Sequence, residues 1–194
     1  MVNEHIILTS AWIVFCILHS VFASLWFKQK AAKWMGKKAD SYRFLYTLFA
    51  TVTFIAIIIY QLSVHSVKNF NPGFVSKIAG GLIVFLGLAV MLVCIKRYFM
   101  RLTGLGWLLG NDIDQVLLED GIHRYVRHPL YAGTFVFIWG LWLIFPLLSL
   151  LISNSIITVY TLVGIQLEEQ KLIKQFGEAY LLNRKKVPML IPGF

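Results

Sequence analysis

The sequence predicts an all-α, polytopic membrane protein with five transmembrane helices, the fourth and fifth forming a helical hairpin, plus a cytoplasmic C-terminal amphipathic helix. Three observations predict it. The 194-residue chain is 58% hydrophobic and only 14% charged, with a mean hydropathy of +0.73, too apolar for a soluble domain of this size. Its apolar residues fall into five runs, at about 6–27, 42–62, 75–95, 129–145 and 147–167, against the roughly 20 residues needed to cross a hydrocarbon core. Its basic residues occupy alternate gaps: 28–43, 96–128 and the stretch after 170 hold 16 of the 18 Lys and Arg, while the other gaps hold Lys68 and Lys77. The positive-inside rule then places the N-terminus outside and the C-terminus in the cytoplasm. The net charge of +9 reads as topology, because the basic residues do not line one soluble face, and no nucleic-acid partner is expected. The chain is read as one integral domain, residues 1–194, and as a monomer among membrane lipids.

The first run, Ile6 to Phe27, competes with a cleaved signal peptide. Glu4 and His5 stand where a basic n-region belongs, and the run is long for an h-region, which favours a retained span. Lys28, Lys30, Lys33, Lys37 and Lys38 follow, and Asp40 or Ser41 is the expected cap of the second span. Asn71-Pro72-Gly73 marks a turn on the opposite side. In the third span, Gly80, Gly81 and Gly87 are small residues that let helices approach closely in lipid.

A polar connection from Tyr98 to His128 comes next, with Gly104, Gly106 and Gly110 and the acidic residues Asp112 and Asp114. Two carboxylates without His partners read as turn and cap residues, so no metal is expected. Cys16 and Cys94 lie in apolar runs without CxxC spacing and read as buried thiols. The fourth apolar run, before Pro146, spans only about 24 Å as a helix, so its His128-Pro129 end is drawn inside the membrane boundary and Pro146 turns the hairpin. Beyond the fifth span, Leu172, Ile173, Phe176 and Tyr180 alternate at helical spacing with Lys171, Lys174, Gln175 and Glu178, the pattern of an interfacial helix.

The informative stretch is Gly121 to Gly133, GIHRYVRHPLYAG. Lipid-phosphate anchoring explains Arg124 and Arg127. It does not explain a rigid His128-Pro129 corner followed by Tyr131 and Gly133. Ionisable groups at a membrane boundary need partners, and Glu168-Glu169 ends the fifth span on the same cytoplasmic side.

GIHRYVRHPLYAG followed by LEEQKLIKQFGEAYLLNRKKVPMLIP resembles the C-terminal signature of the isoprenylcysteine carboxyl methyltransferase and phospholipid methyltransferase group. The resemblance covers Gln115 to Pro192. Three residues depart from it: Gln115 stands in place of a His, His123 in place of a Tyr, and Asn183 in place of a later Tyr. It implies an S-adenosylmethionine-dependent methyltransferase, with 98–128 and 168–194 forming the cytoplasmic cofactor-binding part. Gln115, Val116, Leu117, Gly121, His123, Tyr125, Val126, Arg127, His128, Tyr131 and Glu168 are then the cofactor-binding candidates. The chemistry agrees, since the cofactor needs a basic donor for its carboxylate (Arg127 or His128), a carboxylate acceptor for its ribose or amino group (Glu168), and ring faces (Tyr125, Tyr131, His123).

Catalysis by in-line methyl displacement is largely positioning in a water-poor site. A carboxylate acceptor needs only a cation, for which Arg184 and Lys186 are candidates, whereas an amine needs a base, Glu169 or His123. The favoured acceptor is the C-terminal carboxylate of an isoprenylated cysteine or a similar lipophilic acid, entering from the bilayer through a gap near Gly133 or Gly140. A phospholipid amine is the alternative. A sterol-type, NADPH-dependent membrane reductase is a further one, without a GxGxxG after a strand to support it.

Overall fold

The computed structural model describes residues 2–36, 41–103 and 117–193, with the side chains of 98–103 outside the description. The described residues form seven α-helices and two compact units, Met1–Val67 with Tyr98–Ile113, and Lys68–Arg97 with Asp114–Phe194. Four helices are long and apolar enough to cross a membrane, and Pro129–Ile144 is a shorter apolar one.

In the first unit, α1 (Val2–Ala23) and α3 (Tyr42–Ser63) run antiparallel. His5 pairs with Ser66 at one end and His19 with Tyr46 near the other. Between them Trp12 packs edge-on against Phe54 and donates its indole N–H to Gln61 at 3.2 Å. The structure departs from the expected first span at Ser24. Its hydroxyl accepts the Phe27 amide at 3.2 Å, capping a new helix, α2 (Leu25–Met35), that ends at Gly36 with φ +53°. A polar N-cap inside an apolar run redirects the chain because it satisfies an amide that would otherwise be orphaned. The residues read as a basic connection are therefore partly helical. Ser41 precedes α3 without a side-chain cap bond, against expectation, and Lys37, Lys38 and Asp40 lie outside the described residues.

α4 (Phe74–Thr103), which belongs to the second unit as far as Arg97, outruns the span expected to end at Ile95, taking the start of the polar connection into helix. It crosses α5 (Pro129–Ile144) on glycines spaced seven apart on both helices. A Cβ at Gly87 would sit 2.5 Å from the Phe137 amide nitrogen and 2.8 Å from the Gly133 carbonyl, and one at Gly80 3.0 Å from the Gly140 carbonyl. This is backbone-to-backbone packing, the means by which helices associate where no hydrophobic effect operates. Gly81 faces open space and takes no part. The crossing also overturns the expected acceptor gap. A Cβ at Gly140 would meet Ile83 at 2.8 Å and the Val84 nitrogen at 2.9 Å, and one at Gly133 would meet Val90 at 2.9 Å, so α4 already fills both places.

Phe145, buried Pro146 and Leu147 turn the chain between α5 and α6 (Leu148–Phe176). Lys68 bridges to Leu147, and the Asn69 amide donates to the Pro146 carbonyl at 2.7 Å. Asn154 donates to the Ile138 carbonyl at 2.7 Å and Trp139 to Thr158 at 3.1 Å, joining α5 and α6 where unpaired polar groups are costly. α6 does not stop at Leu167. It continues about 13 Å further to Phe176, and Gly177 with φ +55° separates it from α7 (Glu178–Lys186). The expected single amphipathic helix is thus the end of α6 plus α7.

Candidate functional site

The site grows from the junction between a short 3-10 turn, Gly121–Arg124, and the start of α5. Gly121 has φ +59°, and a Cβ there would collide with the Arg97 guanidinium, which is ion-paired with Asp120. Its role is to let α4 and the turn meet. His128 precedes α5 as its N-cap residue, with φ −122° and ψ 64°, and Pro129 occupies the first position of α5, where a missing N–H costs nothing.

Arg127 was a candidate for holding a cofactor carboxylate, and the structure gives its guanidinium other partners. Nε and Nη2 donate to Glu169 Oε1 at 2.8 and 2.6 Å. Nη1 donates to the carbonyls of Arg184, at 3.2 Å, and of Val187. The backbone extends the same strap, the amides of Arg127 and His128 donating to the carbonyls of Pro188 and Met189 at 2.9 and 3.1 Å. All three guanidinium nitrogens are engaged within the chain. Arg127 therefore joins α6, the end of α7 and the tail.

Glu169, a candidate base, is the acid at the centre of this junction. Its side chain is 4% exposed and that of Arg127 8%. His128 Nε2 lies 3.3 Å from Oε1, and Arg184 Nε 3.4 Å from Oε2. Oxygens so surrounded have little capacity left for a substrate proton. Tyr180 is the residue that the sequence reading placed only on an apolar face. It is 2% exposed, its hydroxyl faces Glu169 and Arg127, and burial and the Glu169 carboxylate push its pKa up to about 12. Its place in the segment LEEQKLIKQFGEAYLLNRKKVPMLIP, which carries the family resemblance, was the signal for it.

Glu168, one residue on, has a different setting. Its side chain is 44% exposed, and Oε2 accepts the Tyr131 hydroxyl at 3.0 Å. His128 stacks on Tyr131 with ring centroids 5.8 Å apart and places Nδ1 3.9 Å from the same oxygen. Arg184 is half exposed at 48% and Tyr125 is 64% exposed. His123 is held below its ordinary pKa by burial and by the nearby His128 and Arg97 charges. Val126 is buried, Leu117 half-buried and Lys186 exposed, whereas Gln115 and Val116 lie outside the described residues, as do Asp112 and Asp114. Among the described residues no cluster of His, Cys, Asp and Glu is suited to a metal ion.

Four helices long and apolar enough to cross a membrane, with a paired acidic and basic cluster where α5 meets α6, define a class, integral membrane proteins. Within it, the family model described as phospholipid methyltransferase matches residues 75–179, and the chain belongs to that family. It is a methyltransferase. The chain is 29% identical over 191 residues to "Methanethiol S-methyltransferase" of Crocosphaera subtropica, covering 92% of this chain and 71% of that one. It is 38% identical over 80 residues to "Protein-S-isoprenylcysteine O-methyltransferase" of Schizosaccharomyces pombe, covering 41% of this chain and 34% of that one. It is 30% identical over 142 residues to "Phosphatidylethanolamine N-methyltransferase" of Kluyveromyces lactis, covering 69% of this chain and 16% of that one. No solved structure matches.

Proposed function

We propose that this chain transfers a methyl group from S-adenosylmethionine to an anionic sulfur or oxygen nucleophile on a lipophilic molecule, at the cytoplasmic face of its membrane. The observation that carries the reading is the Glu168 carboxylate, half exposed, held by Tyr131 and flanked by His128, with half-exposed Arg184 also beside Glu169. These residues fit a donor that presents ammonium, sulfonium, carboxylate and ribose groups. Glu168 accepts from its amino or ribose donors, Arg184 faces its carboxylate or the anionic acceptor, and Tyr125 offers a ring face. When bound, the donor supplies an electrophilic methyl group. The chain contributes position and water exclusion, through a framework held rigid by Arg127 and Glu169.

A thiol is the first acceptor class, because the relative named for methanethiol aligns with 92% of this chain. Neutral His123 is the form of imidazole that takes a thiol proton. The carboxylate of a prenylated cysteine is the second, favoured by Arg184, which suits an acceptor that needs no base. Purified protein in lipid nanodiscs, supplied with methyl-labelled S-adenosylmethionine and methanethiol, an S-farnesylated cysteine or phosphatidylethanolamine, tests the reading. Label in a volatile thioether or a base-labile ester supports it. Label only in the amine lipid overturns the acceptor class, and calorimetric binding of NADPH in place of S-adenosylmethionine overturns the donor.

A further inference from the structure

A second site is built wholly from the first unit. Between α1 and α3 lies a cavity of about 290 Å³. Ala11, Ala50 and Ala56 leave space there that larger residues would close, and Val14, Leu18 and Ile57 make the walls apolar. Its polar lining groups already have partners: the Tyr46 hydroxyl lies 2.9 Å from the His19 ring, and Thr53 donates to the Phe49 carbonyl at 2.8 Å. Water entering would find too few groups to bond. Both helices are long and apolar enough to cross a membrane, and Val14 and Phe49 on the cavity wall are 53% and 42% exposed. For helices of this kind the surrounding medium is hydrocarbon, so a hydrocarbon chain is the occupant that suits the cavity.

The headgroup follows from what stands at one end. From Ala11 the cavity extends about 12 Å along α1 to His19 and Tyr46, close to where α1 gives way to α2. Phe27 of α2 packs on Phe22 at 4.9 Å and on Tyr42 at 6.1 Å, and Tyr42 stacks on Tyr46. Phe27, Ala31 and Met35 form the inward stripe of α2. The helix carries Lys28, Lys30 and Lys33 with no acidic residue, and Trp26 and Trp34 are 60% and 81% exposed. Lysine and tryptophan together on a short surface helix match a bilayer interface of negative charge.

We propose that the α1–α3 cavity and α2 form a binding site for one anionic phospholipid, one of its two acyl chains between the helices and its phosphate headgroup at the α2 lysines. The site is separate from methyl transfer, since phosphatidylglycerol offers no amine, thiol or free carboxylate to methylate.

The test uses the full chain in detergent with phosphatidylglycerol bearing a diazirine in mid-chain. The label is expected on peptides of α1 and α3, and native mass spectrometry is expected to show one phosphatidylglycerol retained at least about tenfold over phosphatidylcholine, given the several-fold gain per lysine near an anionic headgroup. Ala50→Phe, or Ala56→Leu if the larger change prevents folding, should abolish labelling. The triple change Lys28→Gln, Lys30→Gln and Lys33→Gln should keep the chain label and remove the headgroup preference. Equal retention of the two lipids by the unaltered protein, or undiminished labelling in a folded Ala50→Phe or Ala56→Leu protein, overturns the proposal. Displacement of the label by an S-farnesylated cysteine or phosphatidylethanolamine overturns it in favour of an acceptor site.

Discussion

Replacing Arg127 with Ala separates two roles that a basic residue in this position could have. Its guanidinium and the Glu169 carboxylate are 8% and 4% exposed, so solvent screening discounts little of their interaction. Removing the cation leaves a buried carboxylate beside His128 and a more distant Arg184, and strands the carbonyls of Arg184 and Val187. Breaking one side of a buried pair costs about 3 to 5 kcal/mol, far above the roughly 0 to 1 kcal/mol of a surface pair. Arg127→Ala should therefore lose stability by that amount in SDS titration from mixed micelles, and the tail after Lys186 should become accessible to protease. Arg127→Lys should recover only part, because an ammonium cannot reach Glu169 and two carbonyls in one planar fork. Arg127→Met with Glu169→Leu should restore much of the stability without restoring the strap. An Arg127→Ala protein of unchanged stability, with only its affinity for S-adenosylmethionine reduced, would refute the reasoning and return Arg127 to the donor carboxylate.

Glu168→Gln, by contrast, should leave unfolding nearly unchanged and weaken S-adenosylmethionine binding by about 1.5 to 3 kcal/mol, the range for a hydrogen bond to a charged group, measured by calorimetry. Gly87→Leu should destabilise the α4–α5 crossing by at least about 1 to 3 kcal/mol through overpacking, while Gly81→Leu, facing open space, should be tolerated in the same unfolding assay. His123 has its pKa lowered by burial, then by His128 and Arg97; the neutral ring's contribution is complete above the ordinary value of 6.5 and is lost as pH falls through the folded-state value. His123→Asn should flatten stability against pH over that acid range, and an unchanged slope would exclude His123 as its source. In intact cells, a membrane-impermeant thiol reagent should reach a cysteine placed at Asn69 and miss one placed at Lys37, and equal labelling would reject the proposed orientation.

The sequence alone determined the class of this protein. Helix-length apolar runs and a basic bias confined to alternate gaps are one-dimensional quantities, and the solvent preference of a residue type needs no knowledge of its neighbours. The segments around Arg127-His128 and Glu168-Glu169 could be expected to form one site because the basic bias put both on one side of the membrane and together they resemble one family signature. Which partners each member has was decided by tertiary structure. Glu168 and Glu169 are adjacent and identical in type, and the 100° turn between neighbours on a helix sends one into the protein and leaves the other half exposed. The partners of Arg127 could not be read from the sequence, since Glu169 and the carbonyls of 184 and 187 are some 40 to 60 residues away in the chain. Gly140 read as room for a substrate because a glycine is an absence in sequence, and only the path of α4 shows that the absence is filled by another backbone. Ser24 sat inside an apolar run that composition alone would carry to Phe27, and one cap bond from its hydroxyl to the Phe27 amide set the boundary between α1 and α2.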